Sequence, residues 1–255
     1  LSDLKDPPKR LFYQGKWDDS LFTKCVAVVG SRRITEYGRR VIEKLVPQLV
    51  QGGWTVVSGF MYGVDQEAHR ACLECGGKTI AVLGWGINWP LADGDLQLAQ
   101  LIIKNGGLVM SEWEDQQPTL WTFPLRNRIV AAISQEVIVV EAAARSGALI
   151  TTEIAAKLGR KIWAVPGPIT SKVSEGTNRL IASGKAQMWL PQSQLNLAIL
   201  PDTDNPILGM LENEALDASE IARKLSQPMG QVGAQLSILV LSGDIIERDG
   251  KYFIP

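Results

Sequence analysis

The stretch CVAVVGSRRITEYGRRVIEKLVPQLVQGGWTVVSG, residues 25–59, decides the fold. It opens on the short uncharged run Cys25–Val29, which ends in the loop Gly30-Ser31-Arg32-Arg33. Val41, Ile42, Leu45, Val46, Leu49 and Val50 then recur at helical spacing, and Gly52-Gly53 closes that helix. Trp54–Ser58 is a second apolar run, ending at Gly59. The order is strand, helix, strand. Strands this short and this free of charge are those covered on both faces of a sheet.

The same alternation runs outward from there. Further strands are expected at Thr79–Leu83, Leu108–Ser111, Val137–Glu141, Lys161–Val165 and Ala186–Leu190. Helical patterns lie between them, at Asp65–Cys75, Asp93–Asn105, Asn127–Ser134, Ala148–Leu158 and Thr177–Ser183. Strand–helix alternation of this kind predicts an α/β fold with a parallel, doubly wound sheet over residues 25–199, after a lead-in segment over 1–24. Leu200–Pro206, rich in Pro and Asp, reads as a linker. Beyond it Ile207–Glu212, Ala218–Leu225 and Gly230–Ser242 read as helices, and Asp244–Arg248 with Lys251–Ile254 as a hairpin turning at Asp249-Gly250. Residues 207–255 are therefore expected to form a small winged-helix-like domain.

Composition bounds the function. Of 255 residues, 45% are hydrophobic and 21% charged, enough apolar material for a core and so not a disordered chain. No apolar run reaches the roughly 18–20 residues of a membrane span. The formal net charge of −1 gives no strong bulk attraction to nucleic acid or to a membrane. That average hides an asymmetry: residues 1–200 carry 22 basic and 18 acidic side chains, net +4, and residues 201–255 carry 4 and 9, net −5. Three cysteines, at 25, 72 and 75, and no signal-like start predict a reducing, cytoplasmic setting. Leu1 stands where Met would open a complete chain, as expected of a piece of a longer protein.

In open parallel sheets, ligands bind beyond the carboxyl ends of the strands. Those ends gather Gly30, Ser31 and Arg32; Ser58 and Gly59, then Gly63; Gly84-Trp85-Gly86; Glu141, then Ser146-Gly147 opening a helix; and Pro166-Gly167. Glycines admit a ligand to the backbone, and helix N-termini offer free N–H groups to anions, so the edge reads as a phosphate-binding ledge. The plainer reading is a set of tight strand–helix turns. Trp121-Thr-Phe-Pro-Leu-Arg-Asn-Arg128 is the richest segment. Arg126 is expected just before a helix start, where it can clamp phosphate, with Asn127 beside it, and Trp121 or Phe123 can stack on a base. Arg128 either joins them or pairs with Glu141. The helix Gly230–Ser242 has no Lys or Arg, which argues against groove binding and for a protein–protein role of the small domain.

Catalytic, cofactor and metal signatures are scarce. Gly84-x-Gly86 lacks the third glycine of a dinucleotide fingerprint, and Gly77-Lys78-Thr79 precedes a strand instead of following one as a P-loop does. No Gly-x-Ser-x-Gly elbow occurs. Asp65 and the lone His69 read as a helix N-cap and a packed histidine, and Cys72 and Cys75 as residues packing a helix end. No catalytic group, cofactor or metal site is expected.

The ordered motifs resemble the DNA-processing protein A (Smf) family of bacteria over nearly the whole chain. Leu4, Asp6, Pro7 and Pro8 through Leu11 to Gly15 resemble the family's segment before the sheet. Gly30, Arg32, Tyr37 and Gly38 fit one family motif, and Ser58, Gly59, Gly63, Val64, Asp65, Ala68 and His69 the next. Phe123, Pro124, Arg126, Asn127 and Arg128 fit a third. Ser146–Thr151, then Gly159, Arg160 and Ala164–Gly167, and finally Gly176–Ile181 complete the series. The resemblance implies an extended Rossmann-like domain with a mostly parallel sheet that binds single-stranded DNA, dimerises, protects incoming strands and loads RecA recombinase during natural transformation, without being an enzyme. It implies that the winged helix is a variable appendage. Two departures stand out. Phe60-Met61-Tyr62 replaces a usual Ala, often followed by Arg, and Trp89-Pro90 replaces a common Tyr-Pro; both make that rim more aromatic. The competing class is a nucleotide phosphoribohydrolase, which wants a Gly-Gly-x-Gly-Thr loop and then a Glu; the corresponding residues, Ser146-Gly147-Ala148 with Thr151, Thr152 and Glu153, lack the glycine-rich loop.

Overall fold

The computed structural model describes residues 1, 3–191, 206–211, 214–242, 245–248 and 250–254. They fall into two compact units, Leu1–Trp189 and Leu190–Pro255. The expected linker lies outside the described residues except for Pro206, as do Glu212, Asp244 and Asp249 of the expected small domain.

The first unit is built on one sheet of strands β1 (Phe12–Gln14), β2 (Cys25–Val29), β3 (Thr55–Ser58), β4 (Thr79–Val82), β5 (Leu108–Ser111), β6 (Glu136–Val139), β7 (Lys161–Ala164) and β8 (Gln187–Met188). Their spatial order is β1-β5-β4-β3-β2-β6-β7-β8. Every neighbouring pair is parallel except β1 with β5, where Tyr13 lies opposite Met110. This is the doubly wound Rossmann-like order with two extra strands on one side.

Helices α1 (Glu36–Gln51), α2 (Val64–Glu74), α3 (Asp93–Lys104), α4 (Thr122–Ile133), α5 (Gly147–Lys157) and α6 (Glu175–Ala182) accompany the strands. Successive residues of β2 enter different cores. Cys25, Ala27 and Val29 pack with Ile129 and Val130 of α4 and Ala155 of α5. Val26 and Val28 pack with Ile42, Leu45 and Val46 of α1 and with Val64 and Ala68 of α2. A strand buried on both faces has no position for a charge, which is why this run is uncharged. A third cluster joins Leu98 and Ile102 of α3 to Phe60, Leu83 and Trp85.

Two elements of this unit differ most from the sequence reading. β1 was not expected: three residues carry too little pattern to be read, and as an edge strand it is held by pairing with β5 alone. The helix expected at Asn127–Ser134 starts five residues earlier, at Thr122. Pro124 lies in its first turn, where the missing N–H would have had no intrahelical partner, so the proline begins the helix instead of excluding it.

In the second unit, α7 (Pro206–Leu211), α8 (Ala218–Leu225) and α9 (Met229–Ser242) precede a hairpin of β9 (Ile246–Arg248) and β10 (Lys251–Phe253). Asp217 and Glu220 form a reciprocal capping box at the start of α8. Ile207, Leu211, Ile221, Val232, Leu236 and Ile245 form its core. The element order is that expected of a winged helix.

Candidate functional site

The strand order reverses at β2. From there the chain steps outward through β3, β4 and β5, then crosses back to β6 and steps outward the other way through β7 to β8. The loops after β2 and β6 diverge, and a crevice must open between them. A cleft of about 290 Å³ lies at this point, lined by Gly30 and Arg32 after β2, by Phe123, Arg126 and Asn127 of α4, and by Ser146 and Gly147 at the start of α5. The structure thus brings these expected residues together from three segments of the chain.

Arg32 is exposed and forms no ion pair among the described residues. Its guanidinium carbon lies 4.8 Å from the centroid of the Phe123 ring, a cation–π contact that holds a free cation over the cleft. The Phe123 ring packs edge-on against Trp85, with centroids 6.2 Å apart, and fills the space where a Cβ on Gly84 would stand. Across the cleft, Ser146 caps α5 by accepting from the Ala148 amide at 3.3 Å. The Gly147 amide makes no hydrogen bond among the described residues, and the position opens on free space. Asn127 accepts from Arg126 Nε at 3.2 Å and donates to the Gly147 carbonyl at 3.2 Å, tying α4 to the start of α5. A free guanidinium and an open helix N-terminus are both groups that attract anions, and they line one cleft.

Arg126 corrects the sequence reading. It lies inside α4, is 3% exposed, and its Nη1 donates to the main-chain carbonyls of Gly59 and Val82, at the ends of β3 and β4. Asp65 of α2 approaches from beside Gly59: a Cβ there would stand 2.6 Å from both Arg126 Cζ and Asp65 Oδ2. Burial pushes the Arg126 guanidinium down to about 10 and the Asp65 carboxyl upward, and each charge opposes the shift of the other. Arg126 therefore supplies positive charge to the cleft floor and pins two strand ends; it is not a free arm.

Arg128 is corrected too. Its Nη2 meets Glu112 Oε1 at 2.6 Å, with both side chains largely buried, and it does not pair with Glu141. Glu141 instead accepts from the amide (3.0 Å) and the hydroxyl of Thr35, the N-cap of α1. Ser58 is buried and donates to the Val28 carbonyl at 2.6 Å, and Gly59 lies beneath Arg126, so neither faces the cleft. Ser31 folds back on Arg33, accepting from its amide and donating to its carbonyl, each at 3.0 Å. Trp121 is 52% exposed and packs edge-on against Trp113, outside the cleft lining. Gly30, Gly59 and Gly84 are pressed by the chain's own atoms, so of the expected ledge glycines it is Gly147 that leaves room for a ligand.

Asp65 is not an N-cap: Gly63, at φ +79°, occupies that position, and a Cβ there would stand 2.3 Å from the Ser31 carbonyl oxygen. His69 is buried, with Nδ1 2.7 Å from Thr79 Oγ1. The Thr79 hydroxyl already donates to the Val56 carbonyl, so His69 Nδ1 carries the hydrogen. Burial, with Arg126 and Arg70 nearby, pushes His69 down to about 3. It is a neutral core residue. Burial pushes the Cys72 thiol up to about 12, and no cluster of metal-ligating side chains occurs among the described residues. No described helix is long and apolar enough to cross a membrane. Sequence reading missed Arg145, exposed and unpaired among the described residues, one position before Ser146. The signal was there: a third arginine in a loop that follows a buried strand.

A family model described as DNA recombination-mediator protein A matches residues 1–198. Protein Smf of Escherichia coli is 35% identical over 97% of this chain and 72% of its own length. DNA processing protein DprA of Streptococcus pneumoniae is 44% identical over 72% of this chain and 64% of its own length. The chain thus spans about two thirds of these curated relatives. DNA processing protein A of Helicobacter pylori, whose structure was described for its single-stranded DNA binding mode, superposes with a TM-score of 0.68 at 32% identity, over 77% of this chain and 90% of that one.

Proposed function

The chain belongs to the DNA recombination-mediator protein A family, and from that premise we propose that its sheet unit binds single-stranded DNA in the cleft between β2 and β6. One observation carries the reading: an unpaired guanidinium, Arg32, is held on the face of Phe123 opposite the open N-terminus of α5. Phosphate oxygens take the guanidinium and the Gly147 amide, and a base stacks at Phe123. Phosphates carry no sequence, so selectivity is low. A duplex keeps its bases stacked inward, so the aromatic contact favours single strands. The relatives add support: the Helicobacter pylori protein binds single-stranded DNA by its description, and the Streptococcus pneumoniae relative is a DNA processing protein by name.

In the cell this binding would protect incoming strands and load RecA recombinase during natural transformation, with the protein acting as a cytoplasmic homodimer and without a chemical step of its own. The phosphoribohydrolase reading gains nothing from Glu153, which lies on the wall of a separate groove with Arg179 and Leu180. A gel-shift titration of a short single strand against the same sequence as duplex tests the proposal. Tighter binding of the single strand is expected; equal affinities would overturn it. Release of free base from nucleoside monophosphates would favour the enzyme.

A further inference from the structure

We infer that a second hollow, on the far side of Phe123 from the cleft, receives an unstacked base of the bound strand; this rests on the single-strand reading above. The hollow measures about 280 Å³ and lies between the loop after β3, which brings Met61 and Tyr62, and the loop after β4, which brings Trp85 and Trp89. Met61 and Phe123 line both hollows, so the two adjoin across these side chains, within reach of successive nucleotides of one strand.

Its chemistry suits a base and not a phosphate. No Lys or Arg lines it, and the one charged group on its wall is Asp95, held by Gln66 Nε2 at 2.8 Å. An anion is repelled there, whereas a flat neutral ring is not. Trp85 is 8% exposed and lines the hollow, adding aromatic ring surface to its wall. Tyr62 is 60% exposed and Trp89 36%, a pair of large aromatic surfaces left open at the rim. The turn that presents Tyr62 is made by Phe60, buried and at φ +63°, a left-handed conformation that a bulky residue adopts only when its surroundings impose it. These residues are the aromatic departures seen in the sequence, so the subsite is a property of this chain's own loops.

The test uses the full chain and a labelled oligo-dC, intact or with one abasic nucleotide stepped along it. The intact protein is expected to lose affinity when the abasic step reaches the subsite. The exposed-residue double variant Tyr62→Ala/Trp89→Ala should bind intact oligo-dC at least about fivefold more weakly and lose that positional sensitivity, and Trp85→Phe should show a smaller loss. If the folded double variant binds like the parent while Arg32→Ala is weakened, the subsite is wrong and the cleft reading stands. If the double variant keeps DNA affinity and loses self-association, the aromatics serve a protein contact and the inference also fails. If the parent itself does not bind single strands, both readings fall.

Discussion

The guanidinium of Arg126 in α4 donates to the main-chain carbonyl of Gly59, 67 residues earlier at the end of β3. A second bond, to the Val82 carbonyl, ties the same guanidinium to β4. Removing it leaves two carbonyls without this donor and takes from the buried Asp65 its larger counter-charge. Arg126→Met is expected to lower the unfolding free energy by about 2–5 kcal/mol, read as a fall in the urea midpoint. Arg126→Lys should not restore it, because one ammonium cannot reproduce the planar fork. An unchanged midpoint with lost DNA binding would instead return Arg126 to direct phosphate contact.

Arg32 should behave in the opposite way. It is exposed and unpaired among the described residues, so Arg32→Ala should leave thermal unfolding unchanged. Affinity for a single strand should fall by about 1–3 kcal/mol, the scale of a charge-assisted contact. The salt slope should shrink by about 0.7 if one phosphate contact is lost. Full affinity in a folded variant would remove Arg32 from the site.

His69 makes stability depend on pH. Unfolded, it takes up a proton as the pH falls through about 6.5; folded, it resists protonation down to about 3. The unfolded state therefore binds more protons in this window, and stability is present above 6.5 and is lost as the pH falls. The raised Asp65 carboxyl works the other way, adding stability as the pH falls, so the His69 contribution is the difference between the parent and His69→Gln below pH 6.5. The slope should approach about 1.4 kcal/mol per pH unit there. His69→Gln should flatten it in denaturant titrations; a slope surviving that change would place the effect elsewhere.

The second unit is expected to be dispensable for single-strand binding. Residues 201–255 carry 4 basic and 9 acidic side chains, and α9 carries no Lys or Arg. Repulsion from phosphate follows. Truncation after Leu200 should leave affinity the same or slightly higher at low salt. A large loss, with the sheet unit folded and in the same oligomeric state, would show that the second unit touches DNA.

The sheet was legible because burial on both faces writes itself locally. Cys25–Val29 and Leu108–Ser111 have the bounds read from the sequence alone, and the amphipathic run from Val41 to Val50 lies within α1. That alternation predicts a parallel sheet whose ligand edge lies at the carboxyl ends of the strands, so Gly30, Arg32, Ser146 and Gly147 could be placed at one edge before any coordinates, whereas the strand order and the crevice between β2 and β6 came only with the tertiary structure. What each side chain does at that edge was not legible. Arg126 and Arg128 are two residues apart on one helix and of one type, yet the first holds carbonyls 67 and 44 residues away and the second pairs with Glu112. Ser58 and Ser146 both follow strands, yet one is sealed against Val28 and the other caps a helix at the cleft. Periodicity reports which face of an element is buried. Whether a polar group on it meets water, a carbonyl or a carboxylate depends on what distant segments bring to that face, and only their packing decides it.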